Sequence, residues 1–371
     1  MRVLLTTDTV GGVWTFTREL TAGLLAQGHA TALVSFGRMP SCAQRCWALE
    51  TEEQYGSAFR YEALGVPLEW MERNHAAYFD AESLLLRVAD EFEAEIIHTN
   101  QFCFGALPVE VPKVVTAHSD VLSWAEACRP DGIEDSGWLR QYKRLVSAGI
   151  SGADLIATPT HWMRDALARN FPTPAEVRVI LNGRSLAADC KGEPRRLQAV
   201  TVGRVWDEAK GLAVLDEFEI CMPMRVVGEA HFEDERAPAL KTVKFLGKLE
   251  EDEVLRNLRR SSVYLATSIY EPFGLAPLEA ALCGCGVVAR DIASLREVWG
   301  DAAIYFKDGN RLSDVMLRLR DVPEELEALR MRSMARALEL SADRMVEAYI
   351  ALYEQLLIVK STHEEAVAYA D

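Results

Sequence analysis

The chain has 371 residues, 49% of them hydrophobic and 26% charged, with a formal net charge of -16. That length exceeds what one hydrophobic core usually sustains, so two domains are expected. The acidic balance argues against nucleic acid as a partner, since phosphate recognition needs a basic surface, and no run reaches the roughly 18 apolar residues of a membrane span.

The amino-terminal run Arg2-Val-Leu-Leu-Thr-Thr7 reads as a buried strand and turns polar too soon for a signal peptide. Thr7-Asp-Thr-Val-Gly-Gly-Val-Trp14 joins it to a helix running to about Gln27, where Gly28 supplies the stop. Gly11 and Gly12 permit a tight turn and close approach of a ligand, and amides at the helix start can receive phosphate. A tightly packed turn explains the pair equally well, and the Gly-x-Gly-x-x-Gly fingerprint is absent.

Further apolar runs over 30–35, 95–98, 113–117, 155–158 and 177–181 alternate with helical patterns. Such strands indicate a parallel sheet covered on both faces. Between Gly37 and about Tyr78 the pattern is irregular, with Trp47 and Trp70, and helices with a ligand-facing loop are expected there. His118, in Thr116-Ala-His-Ser-Asp120, ends a strand, where ligands of open α/β sheets bind. An imidazole there can exchange hydrogen bonds with a hydroxyl near neutral pH; a buried structural histidine is the other reading.

Residues 185–196 break the periodicity, and a second series of strands follows over 197–202, 224–228, 243–246, 263–266, 286–289 and 302–306. The expected fold class is therefore α/β, with two Rossmann-like doubly wound domains facing each other across a cleft. The expected bounds are 1–190 and 191–335, with a helical segment, 336–371, crossing back to the first domain. The eight cysteines are too sparse for a disulfide scaffold and read as free thiols in a reducing cytoplasm. Neither cysteines nor histidines cluster at metal-binding spacing.

Two loops of the second half carry the chemistry. Gly203-Arg-Val-Trp-Asp-Glu-Ala-Lys-Gly211 follows a strand, so Arg204 and Lys210 can neutralise a diphosphate, one through a planar fork and one as a mobile point charge. Surface pairing with Asp207 and Glu208 is the alternative. The segment Ser268-Ile-Tyr-Glu-Pro-Phe-Gly-Leu-Ala-Pro-Leu-Glu-Ala-Ala-Leu-Cys-Gly284 places Glu271 on a Pro/Gly turn and Glu279 on a helix running to about Cys283. Two carboxylates at a strand end suit a polyhydroxyl ligand.

Together these blocks resemble the retaining, nucleotide-sugar-dependent glycosyltransferases of family 4, which have the GT-B fold. The resemblance rests on Gly11-Gly12, on Gly203-Arg204 with Lys210-Gly211, on the Glu-x7-Glu pair Glu271 and Glu279, and on Asp291 to Ala303 downstream. It implies that Gly12 lies against donor phosphate or sugar, His118 contacts the transferred sugar, and Arg204 and Lys210 bind the diphosphate. It further implies that Glu271 contacts sugar hydroxyls, Glu279 holds the ribose, and backbone near Phe245 and Leu246 meets the base. Amides of Phe273, Gly274 and Leu275 would support the leaving phosphate. Asn182-Gly-Arg-Ser185 departs from the family's Asn-Gly-Val-Asp, a change expected to bear on hinge or cleft contacts.

The implied activity is retaining transfer of a sugar from a nucleoside diphosphate sugar to a small or soluble hydroxyl acceptor, without a metal. The nucleotide sugar is a co-substrate and no other cofactor is implied. A nucleotide-sugar epimerase or hydrolase, or a non-catalytic binding protein, are the competing readings. Trp14, Trp47, Trp70, Trp124 and Trp138 are candidate acceptor platforms, or core.

Overall fold

The computed structural model describes residues 1–71, 77–173, 176–186, 194–217, 221–232, 235–236, 240 and 242–368. The chain divides into two compact units. The first comprises Met1–Ser123, Gly132–Gly183 and Ala342–Asp371; the second comprises Trp124–Asp131 and Arg184–Ser341. The expected boundary at 190 falls outside the described residues.

In the first unit the strands are β1 (Arg2–Asp8), β2 (Ala30–Phe36), β3 (Phe59–Ala63), β4 (Ile96–Thr99), β5 (Lys113–Thr116), β6 (Leu155–Thr158) and β7 (Glu176–Val179). They form one parallel sheet in the order β3-β2-β1-β4-β5-β6-β7. The order reverses between β1 and β4, so Gly11 and Asn100, just past their ends, lie at a topological switch point. The central strands are apolar and buried, as required of a sheet covered on both faces.

β3 has no counterpart among the expected strands. Its sequence, Phe-Arg-Tyr-Glu-Ala, lacks an apolar run because it is an edge strand, paired among the described residues with β2, and one-sided cover permits polar residues. The preceding helix, Cys42–Tyr55, is started by a capping box in which Ser41 and Gln44 satisfy each other's amides.

The C-terminal helix Ala342–Ala368 is tied to the first unit by a buried polar chain. His98 Nδ1 is 2.6 Å from the Tyr353 hydroxyl and His98 Nε2 is 2.6 Å from Thr116 Oγ1. Tyr349 reaches the same threonine oxygen at 3.1 Å. Every polar atom in that chain therefore has a partner, as burial demands.

The strands of the second unit are β8 (Arg196–Val202), β9 (Met224–Val227), β10 (His231–Phe232), β11 (Glu235–Arg236), β12 (Lys244–Phe245), β13 (Ser261–Ala266), β14 (Gly286–Arg290) and β15 (Ile304–Phe306). Six of them form a parallel sheet in the order β12-β9-β8-β13-β14-β15. β10 and β11 make a separate two-residue antiparallel arm, too short to leave a periodic signal. Here the switch point falls between β8 and β13, so the loops after Val202 and Ala266 emerge side by side. Helices Glu251–Arg260, Leu275–Leu282, Gly309–Asp321 and Pro323–Glu339 belong to this unit.

One close approach limits the first unit. A Cβ on Gly149, in helix Gly137–Gly152, would lie 1.7 Å from the Phe102 carbonyl oxygen, which is backbone and cannot swing away. Gly149→Ala is expected to destabilise by about 3 kcal/mol, the upper range for overpacking. A denaturant midpoint equal to that of the parent protein would contradict this packing.

Candidate functional site

In the first unit, Gly11 (φ 78°) precedes helix Gly12–Ala26, and both glycines are exposed. His118 follows β5 and is half-buried, with the Phe16 ring at 4.6 Å. Asn100 donates through Nδ2 to the Thr6 carbonyl at 2.5 Å and to Thr17 Oγ1 at 3.0 Å, which fixes its amide orientation. Its Oδ1 therefore accepts from His118 Nε2 at 2.8 Å, so that nitrogen carries the proton in the neutral ring. Burial lowers the His118 pKa to about 3, and burial likewise lowers His98 to about 3, so both are neutral at pH 7.

The tryptophans of this unit are partly accounted for by packing. Trp14 is buried edge-on against Trp47, with centroids 5.5 Å apart, and Trp138 donates to the Met71 carbonyl at 3.1 Å. Trp124 belongs to the second unit, where its indole donates to Asp207 at 3.3 Å.

In the second unit the loops after β8 and β13 are stitched together by backbone. Thr267 Oγ1 donates to the Lys210 carbonyl at 2.6 Å, and the Ile269 amide donates to the Ala209 carbonyl at 2.8 Å. Gly211 makes this possible: its φ is 56°, and a Cβ there would lie 2.5 Å from the Thr267 oxygen. The result brings Lys210 Nζ to 2.6 Å from Glu271 Oε2, with Ser268 Oγ donating to the same oxygen at 2.9 Å. Both charged side chains are largely buried, at 19% and 17% exposure. They line a pocket with Thr201, Gly203, Tyr264 and Ser268.

Gly274, at φ 91°, turns the chain from Glu271 into helix Leu275–Leu282, whose first turn holds Pro277. Phe273 is buried and Leu275 half-buried at this turn. Phe245 and Leu246 sit at the edge strand β12, separated from β8 by β9. Arg204 is not joined to the Lys210–Glu271 pair: it bonds Asp207 at 2.8 Å, with its guanidinium 5.5 Å from the Trp206 ring. Asp207 also accepts from the Ala209 amide at 3.0 Å and so shapes the loop. Glu208 pairs with Arg129 at 2.9 Å.

Glu279 is bound by Arg184, whose Nε lies 3.0 Å from Glu279 Oε1. Sequence reasoning placed Arg184 only at a joint. The substitution of arginine in Asn182-Gly-Arg-Ser185 was visible, but its partner lies 95 residues away in the chain. Among the described residues no group of three or more His, Cys, Asp or Glu is placed to hold a metal ion, and no helix is long and apolar enough to cross a membrane.

Two doubly wound parallel units, each with loops gathered at a switch point, define the class as GT-B. Residues 10–187 match Glycosyltransferase Family 4, and residues 196–321 match Glycosyl transferases group 1. The chain has the GT-B fold and is related to these two glycosyltransferase families. It is 28% identical over 257 residues to a glycogen synthase of Mycobacterium tuberculosis (strain CDC 1551 / Oshkosh), an alignment covering 63% of this chain and 60% of that protein. The chain thus spans only part of the length of that relative. Among solved structures, sucrose-phosphate synthase from Thermosynechococcus elongatus superposes with a TM-score of 0.73 at 17% identity, covering 97% of this chain and 100% of the other. An Anabaena protein solved in complex with UDP and glucose gives a TM-score of 0.69 at 16% identity, covering 96% and 100%. At those identities the likeness establishes the fold.

The histidine geometry has a pH consequence. The folded pKa of His118 lies below its ordinary value of 6.5, so between about 6.5 and about 3 the unfolded chain binds more protons than the folded one. The stability contributed by neutral His118 is present above 6.5 and is lost as pH falls through that window. The ring should stay neutral at pH 5 by NMR, and His118→Asn should flatten the acid-side loss of stability. A titration midpoint near 6.5 in the folded protein would contradict this burial.

Proposed function

We propose that the chain is a retaining, metal-independent glycosyltransferase that moves a sugar from a nucleoside diphosphate sugar to a small or soluble hydroxyl acceptor. The observation that carries this reading is the Lys210–Glu271 contact of 2.6 Å at a pocket on the switch point. It sets a cation for diphosphate beside a carboxylate for sugar hydroxyls. Two carboxylates invite the glycosidase template, but a diphosphate-binding cation beside Glu271 fits transfer better, and Glu271 is not assigned as a nucleophile.

In this reading the diphosphate draws Lys210 away from Glu271, and the released carboxylate accepts from the sugar. Arg204 can turn to the phosphates because its own side chain is 39% exposed, while the nearly buried Asp207 keeps the Ala209 amide and the Trp124 indole as donors. Amides of Phe273, Gly274 and Leu275 at the helix start favour the negative charge that grows as the anomeric C–O bond breaks. The acceptor oxygen forms the new bond on the same face, and its proton passes to the departing phosphate oxygen. The products are a glycoside and a nucleoside diphosphate. For the first unit the reading assigns Gly12 to the donor phosphate and His118 to the transferred sugar.

UDP-glucose is the first donor to test, because one similar structure was solved with UDP and glucose. Incubation with UDP-glucose, ADP-glucose and GDP-mannose, each with a panel of alcohols and excess chelator, should release nucleoside diphosphate only when an acceptor is present. Anomeric coupling constants of the product should match those of the donor. Lys210→Ala should lower kcat by roughly a hundredfold, the loss typical when one charge-stabilising group is removed. Release that needs no acceptor indicates hydrolysis, and activity abolished by chelator and restored by magnesium overturns the metal-free part.

A further inference from the structure

Arg184 begins the longer segment of the second unit, and its side chain is only 4% exposed. Its backbone amide donates to the Leu340 carbonyl at 3.1 Å, which anchors the residue from behind. The guanidinium then divides between two helices. Nε holds Glu279 Oε1 at 3.0 Å on helix Leu275–Leu282, and Nη2 binds Glu251 at the start of helix Glu251–Arg260. A buried guanidinium must have its charge met, and here two carboxylates meet it. The planar fork fixes the direction of each bond, which a lysine ammonium does not.

The two carboxylates differ in exposure. Glu251 is 45% exposed and Glu279 is 17% exposed. Glu279 is therefore the less solvent-exposed of the two carboxylates that Arg184 holds. Without Arg184, Glu279 and Glu251 would keep their negative charges with the shared cation gone, and like charges disfavour that arrangement. We propose that Arg184 is a positioning residue that presets the Glu279 carboxylate to accept from the ribose hydroxyls of the donor nucleotide. The proposal rests on the glycosyltransferase reading above together with the ribose role that the family resemblance implies for Glu279. Ordering that carboxylate before the nucleotide arrives removes part of the entropy cost of binding.

The test compares calorimetric affinities for UDP, ADP and GDP with those for their 2′,3′-dideoxy forms, in the parent and in Glu279→Gln, Arg184→Met and Arg184→Lys. The parent should prefer the ribose form by about tenfold or more, the scale of a hydrogen bond to a charged acceptor. Glu279→Gln should remove most of that preference. Arg184→Met should lower it by about fivefold while leaving dideoxy affinity nearly unchanged, a split that general loosening of the fold does not produce. Arg184→Lys should recover Tm without recovering the preference. If Glu279→Gln loses the preference while either Arg184 variant keeps it, the positioning role is wrong and the ribose reading stands. If Glu279→Gln itself keeps the preference, the ribose reading fails and the proposal fails with it.

Discussion

Parallel pairing of β8 with β13 is the constraint on which the site of the second unit depends. It brings two loops, more than 50 residues apart in sequence, out of the same edge of the sheet. Side-chain and backbone bonds from Thr267 and Ile269 then lock one loop onto the other. Only with that locking does a long, flexible lysine arrive at hydrogen-bonding distance from Glu271. Gly211 is the local condition for the close approach, because any side chain there would strike the Thr267 carbonyl.

The legible part of the molecule was what local pattern encodes. Apolar runs such as Val263 to Ala266 and Ala30 to Ser35 emerged as strands because a sheet covered on both faces demands continuous burial. The turn at Gly274 and the helix after it were readable from Pro277 and the glycine itself. Phe59–Ala63 was not readable, since an edge strand can stay polar and leaves no periodic trace. The two-residue arm at His231 and Arg236 was shorter than any window that could report it.

Pairing between side chains was the other illegible layer. Sequence offered Asp207 and Glu208 as partners for both Arg204 and Lys210, and only Arg204 takes one of them. Lys210 instead finds Glu271, because loop locking carries it away from its own turn. Trp124 read as an acceptor platform or as core, and its indole braces Asp207. Arg184 had no local feature to distinguish an ordinary linker cation from one that clasps Glu279. Such partners follow from tertiary register, and single-chain spacing does not encode register between segments this far apart.

The electrostatic pattern that results has a mechanistic logic. Lys210 is held by Glu271, Arg204 by Asp207 and Glu279 by Arg184, so each charge proposed to meet the donor already has an internal counter-charge. An unpaired buried charge would be costly, whereas a paired one can be exchanged for a ligand of like charge to its partner. The cations differ in their access to solvent: Arg204 is 39% exposed, Lys210 19% and Arg184 4%. That gradient separates the roles: Arg204 and Lys210 are suited to leave their partners for a phosphate, while Arg184 is suited to stay. The same chain therefore uses one kind of ion pair as a moving contact and another as a fixed mount, and burial decides which is which.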